Sequence, residues 1–420
     1  MKRYFRVKKL VVFVIILLFL VIIRTFLLLN SFNNFTVLGN LLRDFKNNHQ
    51  QEWENYPKLK RKSMFNEWIK PAFAPEKQLF KWIKPTFTST VELRASFKGD
   101  GIVICVGNKH IDYAVATIKI IRNTFKSLLP FEVFYLGHLD LSTENRARLE
   151  QIPFVKTVDI YSIFNNDIIK LSGWSMKPFA LLASSFQNAM LVDADVIFLQ
   201  SPQLLFDSKL FIDSGALFFR DRSLFIAPQK EIDMFYQFMP NPPSQYSASF
   251  RVFQNKTEHE QESGVVLIDK TKRFVGLMAT CAMNTGKMRE LVYENVLGDK
   301  ETFWLGFETV LENYTFNPSL PGAIGVSTLI NDKKKICARQ LLHAVDNKPF
   351  WINGGIAVSK YDRNSDLAEL NEWAIEPGTW SMHELNLACI VVDQTELITP
   401  TMSRQISEMG KIILNERKSK

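Results

Sequence analysis

Met190-Leu-Val-Asp193-Ala-Asp195-Val-Ile-Phe-Leu199 is an apolar run interrupted by two acids. Its length and branched side chains read as a buried strand over Ala189–Leu199. Strand side chains alternate, so Asp193 and Asp195 are expected on one side, about 7 Å apart along the chain. Two carboxylates in apolar surroundings repel each other and are costly to desolvate. A hard cation, Mn2+ or Mg2+, removes both problems, because it takes few protein carboxylates and completes its shell with water and phosphate oxygens. The competing reading is a strand end that emerges into solvent.

The segments on either side set the fold class. Ile102–Val106, Phe131–Leu136 and Val155–Tyr161 read as three further strands. Tyr113–Asn123 and Lys177–Ser185 read as helices between them. Strands alternating with helices imply an α/β fold, a mainly parallel sheet covered on both faces. Such sheets bind ligands beyond the carboxyl ends of their strands. Neither GxGxxG nor GxxxxGKS occurs, so dinucleotide and P-loop readings lose their main support.

Toward the N-terminus the composition changes. Leu10–Ile23 is unbroken apolar sequence, and Phe26–Leu29 extends it past Arg24 to the roughly 20 residues of a bilayer span. Lys2, Arg3, Arg6, Lys8 and Lys9 precede it, which places that end in the cytosol. No small-residue cleavage site follows, so an uncleaved type II signal-anchor is expected, with the body in the secretory lumen. The chain then divides into a cytosolic tail (1–9), a transmembrane anchor (10–29), a lumenal stem (30–95) and a catalytic domain (96–420). The stem is polar, aromatic and Pro-punctuated without a sustained period. It repeats Trp68-Ile-Lys-Pro-Ala-Phe73 as Trp82-Ile-Lys-Pro-Thr-Phe87. Its aromatics are expected to pack onto the body, or to form a partner-binding motif.

Composition narrows the function classes. The 420 residues are 46% hydrophobic and 22% charged, too apolar for a disordered chain. The formal charge of +8 suggests nucleic acid until it is located. Without the five basic tail residues the chain carries 46 bases against 43 acids, and no basic stripe marks the folded part, so nucleic acid is excluded. Four cysteines leave no room for a disulfide scaffold. Cys105 reads as a buried thiol, and one pair among Cys281, Cys337 and Cys389 fits an oxidising lumen. Asn255-Lys-Thr and Asn313-Tyr-Thr are glycosylation sequons, and Asn34-Phe-Thr is a third close to the membrane.

Six blocks carry a family resemblance: Ser175-Met-Lys-Pro-Phe179, Leu191-Val-Asp-Ala-Asp-Val-Ile-Phe-Leu-Gln-Ser-Pro202, Leu217-Phe-Phe-Arg-Asp-Arg222, Glu262-Ser-Gly-Val-Val-Leu-Ile-Asp-Lys270, Gly298-Asp-Lys-Glu-Thr-Phe-Trp304 and Gln340-Leu-Leu-His343. Together they resemble the fungal Golgi α-1,3-mannosyltransferases of glycosyltransferase family 71. The resemblance implies a GT-A type nucleotide-sugar-binding fold, a GDP-mannose donor, a divalent metal and retention of configuration. It also implies a Golgi membrane location, an oligomannose acceptor on glycoprotein and room for a complex with other Golgi transferases.

Residue roles follow from it. Asp195 is expected to clamp a metal on the diphosphate, and Asp193 to reach the ribose or a metal water. Lys177 is a phosphate donor or an exposed helix lysine. His343 and Lys348 are similar to the His then Lys-Pro-Trp element of glycosyltransferase family 8, which implies a metal ligand and a phosphate contact. The Gly298 block implies the acid facing the anomeric carbon, Asp299 first and Glu301 second. Helix capping is the alternative for both. Glu262 holds sugar hydroxyls or opens a strand. Arg220 and Arg222 meet donor or acceptor, or form a surface turn with Asp221. Trp304, Trp351 and Trp380 are sugar-stacking faces or core. Three other functions compete: a UDP-hexose transferase on the same fold, a metal-dependent phosphodiesterase or phosphatase, and a non-catalytic lumenal sugar-binding protein. The second wants more His and Asp ligands than this chain offers near the pair.

Overall fold

The computed structural model describes residues 34–63, 79–83, 89–358, 362, 364–383 and 387–418. The basic tail, the apolar run at 10–29 and the Trp68 segment lie outside them. No helix of the described residues is long and apolar enough to cross a membrane.

The expected strands form β1 (Asp100–Cys105), β2 (Phe131–Tyr135), β3 (Val155–Asp159) and β4 (Asn188–Val192). All four run parallel, with Ile102 opposite both Phe131 and Met190. Beyond β4 lie β6 (Ala216–Arg220), β7 (Gln261–Asp269) and β8 (Thr315–Phe316), giving the order β3-β2-β1-β4-β7-β6-β8. Only β7 runs against the rest. The chain leaves β1 toward β2 and returns on the other side as β4. The strand order thus reverses beside β1, which opens a crevice at the carboxyl edge.

Alternation along the strands feeds two cores. Val103, Ala189 and Leu191 face a layer containing α3 (Met176–Ala183), α5 (Phe274–Met283) and α6 (Lys300–Thr309). Ile102, Ile104, Met190 and Val192 face α2 (Ile111–Phe125), through Ile111, Val115, Ile118 and Ile121. These strands are buried on both faces, which is why they read as continuous apolar runs.

Two expectations are corrected. The run Ala189–Leu199 is not one strand. Asp193–Val196 is a turn, closed by the Val196 amide on the Asp193 carbonyl at 3.1 Å. The chain then enters β5 (Ile197–Phe198), the edge of a second, antiparallel sheet. That sheet contains β9 (Pro321–Gly325), β12 (Leu341–Val345), β13 (Lys348–Asn353), β14 (Glu372–Ile375) and β17 (Glu396–Leu397), ordered β17-β14-β9-β12-β13-β5. Strand alternation therefore does not set the Asp193–Asp195 geometry; a turn between two sheets does.

Nor is the stem separate from the body. Phe35–Ser63 is a helix, α1, whose Leu38, Leu42 and Phe45 are buried in the main core. It lies against α4 (Gln229–Phe238), where Phe35 meets Phe238 at 5.0 Å between ring centres. Trp82 packs edge-on against Phe164 and Phe179. Among the described residues of this segment Phe35, Phe45, Phe80 and Trp82 pack onto the body, as expected, so packing continues across 95/96.

A small third sheet holds β10 (Ser327–Ile330), β11 (Lys333–Ala338), β15 (Thr379–Met382) and β16 (Ala388–Val392). Cys337 and Cys389 are cross-strand partners there and form the disulfide, while Cys281 is free and buried. Cys105 is a free, half-buried thiol at the end of β1. The C-terminal helix α7 (Pro400–Lys418) covers α2, and its Glu416 pairs with Lys119 at 2.6 Å and Arg148 at 2.8 Å.

Candidate active site

β4 ends at Val192 and β7 starts beside it in the opposite direction, so the Asp193–Asp195 turn faces Glu262-Ser263-Gly264. The turn is pinned from three sides. The Asp193 amide donates to the Gly264 carbonyl at 2.8 Å, and the Gly355 amide to the Asp195 carbonyl at 2.7 Å. The Thr117 hydroxyl reaches the carbonyls of Ala194 and Val196 at 2.8 and 3.0 Å. Gly355 has φ +70°, a conformation only glycine adopts without strain.

Lys177, on the first turn of α3, points into this edge and is buried. Its ammonium lies 2.9 Å from Asp193 Oδ1, 3.0 Å from Ser263 Oγ, 3.2 Å from the Ser263 carbonyl and 3.6 Å from Asp299 Oδ2. Burial opposes the charge on Lys177, but Asp193 and Asp299 outweigh it and raise its pKa. Burial pushes Asp193 up to about 7 against the pull of Lys177. Asp299 occupies the N-cap position of α6 but makes no capping bond. It is buried, raised by that burial, and its Oδ2 has no hydrogen-bond partner. Capping is thus not its role.

A second polar group adjoins the first. Glu262 Oε1 accepts from the Gly264 amide at 2.8 Å and from Asn353 Nδ2 at 2.9 Å. A Cβ on Gly264 would stand 3.0–3.1 Å from Asn353, Glu262 and Trp351, so close approach requires the glycine. Lys300 Nζ meets Asp221 Oδ2 at 2.8 Å. Despite burial, Lys300 and Arg222 hold Asp221 well below the usual carboxylate range. Arg222 is half-buried beside this pair, and its amide donates to Asp221 Oδ1 at 2.8 Å. Arg220 bonds Glu260 and lies over Phe316, so it belongs to the core.

Several expected site residues lie elsewhere. Glu301 is fully buried, accepting from the Gln261 amide at 3.3 Å and from the Trp304 indole, and does not face the cleft. His343 is buried between Phe219 and Trp351, stacked on the latter at 3.9 Å, and its Nε2 has no hydrogen-bond partner. Burial pushes it down to about 3, so it is neutral. Lys348 is exposed at the start of β13, whose other end carries Asn353. At ~3.3 Å per residue the two ends are roughly 17 Å apart. Lys348 therefore lies well away from Asn353 and the Glu262 it holds. Trp304, Trp351 and Trp380 are all buried core. The sequons at Asn255 and Asn313 present exposed asparagines. Ser263, Lys300 and Asn353 join the site without having been singled out, and Asp221 joins it from what was expected as a surface turn; a single sequence carries no signal for Asn353.

Among the described residues no three His, Cys, Asp or Glu side chains converge as a metal cage, so Asp193, Asp195 and His343 do not form one. The acidic turn does fit a hard cation that shares its shell with a phosphorylated ligand. Asp193 and Asp195 are both half-buried at the carboxyl edge, and Asp299 brings a third carboxylate there, with Lys177 between Asp193 and Asp299.

A doubly covered α/β sheet with carboxylates gathered at its strand-order reversal belongs to the class of proteins that hold a polar ligand beyond the carboxyl ends of the strands. The chain belongs to the Mannosyl_trans3 family, described as "Mannosyltransferase putative", which matches residues 99–344. The resemblance drawn from the six blocks agrees with this. Relatives include "Putative alpha-1,3-mannosyltransferase MNN14" of Candida albicans, 30% identical over 63% of this chain and 43% of that protein. "Alpha-1,3-mannosyltransferase MNT3" of Saccharomyces cerevisiae is 26% identical over 64% and 48%. The chain thus spans about half the length of the curated relatives it matches. The Mn/GDP form of core-mannan synthase A of Aspergillus fumigatus superposes on 52% of this chain and 72% of its own, at 10% identity and a TM-score of 0.34.

Proposed function

We propose that this chain transfers mannose from GDP-mannose to a mannose-terminated glycan, forming an α-1,3 linkage with retention, on a GT-A type fold. We place it on the lumenal side of the Golgi as a single-pass type II membrane protein. Family membership supports the sugar. The observation that carries the reading is the cluster Asp193–Lys177–Asp299 at the carboxyl edge, next to Asp195.

Breaking the bond between an anomeric carbon and a diphosphate builds negative charge on the leaving oxygen and positive charge on the sugar. A cation held by Asp193 and Asp195, Mn2+ or Mg2+, would neutralise the leaving diphosphate. Asp299 supplies a fixed negative charge in a buried setting, where electrostatic stabilisation of the sugar cation is strongest. Lys177 is surrounded by carboxylate and serine oxygens, so it holds Asp193 and Asp299 in place instead of reaching out to phosphate. Glu262, fixed by Asn353 and Gly264, is set to accept from sugar hydroxyls. The acceptor proton leaves with the phosphate, so no separate strong base is required.

The test incubates the chain with Mn2+, α-mannobiose and either GDP-mannose or UDP-glucose, and reads linkage and anomeric configuration by NMR. Transfer from GDP-mannose to O3 is expected. Preference for UDP-glucose, or nucleotide binding with no transfer, would overturn the reading.

A further inference from the structure

Trp174 is 57% exposed, although indoles of this size are usually buried. It sits on the short turn Gly173–Ser175, directly before α3, three residues ahead of Lys177. Its ring packs on Gly298, the residue before Asp299. A Cβ at Gly298 would stand 2.8 Å from Trp174 Cε3, and Gly298 also has φ +72°. One side of the indole is therefore fixed against the segment that carries Asp299, and more than half of the side chain remains in solvent.

The turn beneath it is held by hydrogen bonds. The Ser172 amide donates to Ser175 Oγ at 3.0 Å, and Ser175 Oγ donates to the Ser172 carbonyl at 2.8 Å. Arg289 donates to Ser172 Oγ at 3.1 Å and to the Lys170 carbonyl. Holding a large apolar ring exposed and ordered forfeits the stabilisation that burial would bring. Doing so beside a buried carboxylate cluster presents a preorganised contact face.

We propose that Trp174 is the stacking face for the terminal sugar ring of the acceptor. The proposal rests on the transferase reading above. A hexopyranose has an apolar C–H face and a rim of hydroxyls. An indole takes the first and leaves the second to polar neighbours. The donor-side groups Lys177, Ser263 and Glu262 are buried or half-buried in the crevice. Trp174 stands at its exposed margin, beside the Gly298–Asp299 segment and open to solvent.

The test compares wild type, Trp174→Ala and Trp174→Tyr in the full chain. Binding of α-mannotriose is measured by saturation-transfer NMR and calorimetry without donor, GDP binding by calorimetry, and acceptor KM with GDP-mannose. Trp174→Ala is expected to weaken mannotriose binding and raise acceptor KM on the order of tenfold, equivalent to about 1.4 kcal/mol. GDP affinity and the melting temperature should stay unchanged, and Trp174→Tyr should keep most of the binding. Equal mannotriose binding by wild type and Trp174→Ala overturns the assignment, as does a parallel loss of GDP affinity. Trp174-dependent mannotriose binding without turnover sinks the transferase reading and leaves the stacking face standing. Normal turnover with an unchanged acceptor KM does the reverse.

Discussion

Asp299 and Glu301 are two residues apart at the start of one helix, and their surroundings give them different chemistry. Asp299 turns its Oδ2 toward Lys177 at 3.6 Å without a hydrogen bond, whereas Glu301 has both oxygens bonded inside the core. Because Asp299 makes no capping bond, its loss removes none of the roughly 0.5–2 kcal/mol that a cap contributes. Asp299→Asn is expected to keep the melting temperature within a few degrees and to keep GDP binding. Turnover should fall about 100-fold or more, the scale of losing one strong electrostatic contact in a buried site. Measuring kcat, GDP affinity and thermal midpoint together decides the point: early melting with normal turnover would make Asp299 structural. The acids of this site were legible because carboxylates in apolar runs need a reason. The role of Lys177 was not, since nothing local says that Ser263 and Asp299 converge on it. The setting of His343 was hidden for the same reason: the ring it stacks on belongs to the next strand of the hairpin.

At the scale of elements, Glu301 ties the first turn of α6 to the start of β7 through the Gln261 amide. Burial raises it from an ordinary 4.5 to about 7, against the opposing bond from Trp304. A carboxyl raised on folding contributes stability that is fully present below pH 4.5 and lost as the pH climbs through 7. The melting temperature of wild type should therefore fall more steeply between about pH 5 and 8 than that of Glu301→Gln, which cannot ionise. Parallel curves for the two proteins would show that Glu301 does not titrate in this window. The elements themselves were mostly readable. The parallel strands are apolar on both faces, and helices such as α2 show their period plainly. The break at Asp193–Val196 was hidden because Val196, Ile197 and Phe198 continue the apolar pattern while changing sheets. The register between β12 and β13 likewise depends on a hairpin turn at Asp346–Asn347, where both residues have positive φ.

The whole molecule depends on a segment that reads as a tether. Leu38, Leu42 and Phe45 lie at i, i+4 and i+7 on α1, but the Asn, Gln and Glu residues around them dilute the stripe. With Leu79, Phe80 and Trp82 they bury six apolar side chains in the main core. Each fully buried side chain of this kind is worth about 1.5–3 kcal/mol. Their sum rivals the ~5–15 kcal/mol by which a domain is stable at all. Polar anchors add to it. Arg43 donates to the carbonyls of Phe238 and Thr309, and Lys46 to those of Val310 and Leu311, so α1 also closes the end of the helix that follows Asp299. A chain shortened to residues 96–420 would uncover Phe164, Phe179, Phe238 and Phe274, an apolar patch that favours aggregation. It is expected to lose its cooperative melt and bind a hydrophobic dye at 25 °C. A chain starting at Asn34 should melt cooperatively, because it keeps all six of these side chains. The two are compared by circular dichroism, dye binding and limited proteolysis. If the shorter chain melts cooperatively within a few degrees of the longer one, α1 is a dispensable strap and the catalytic unit begins after it.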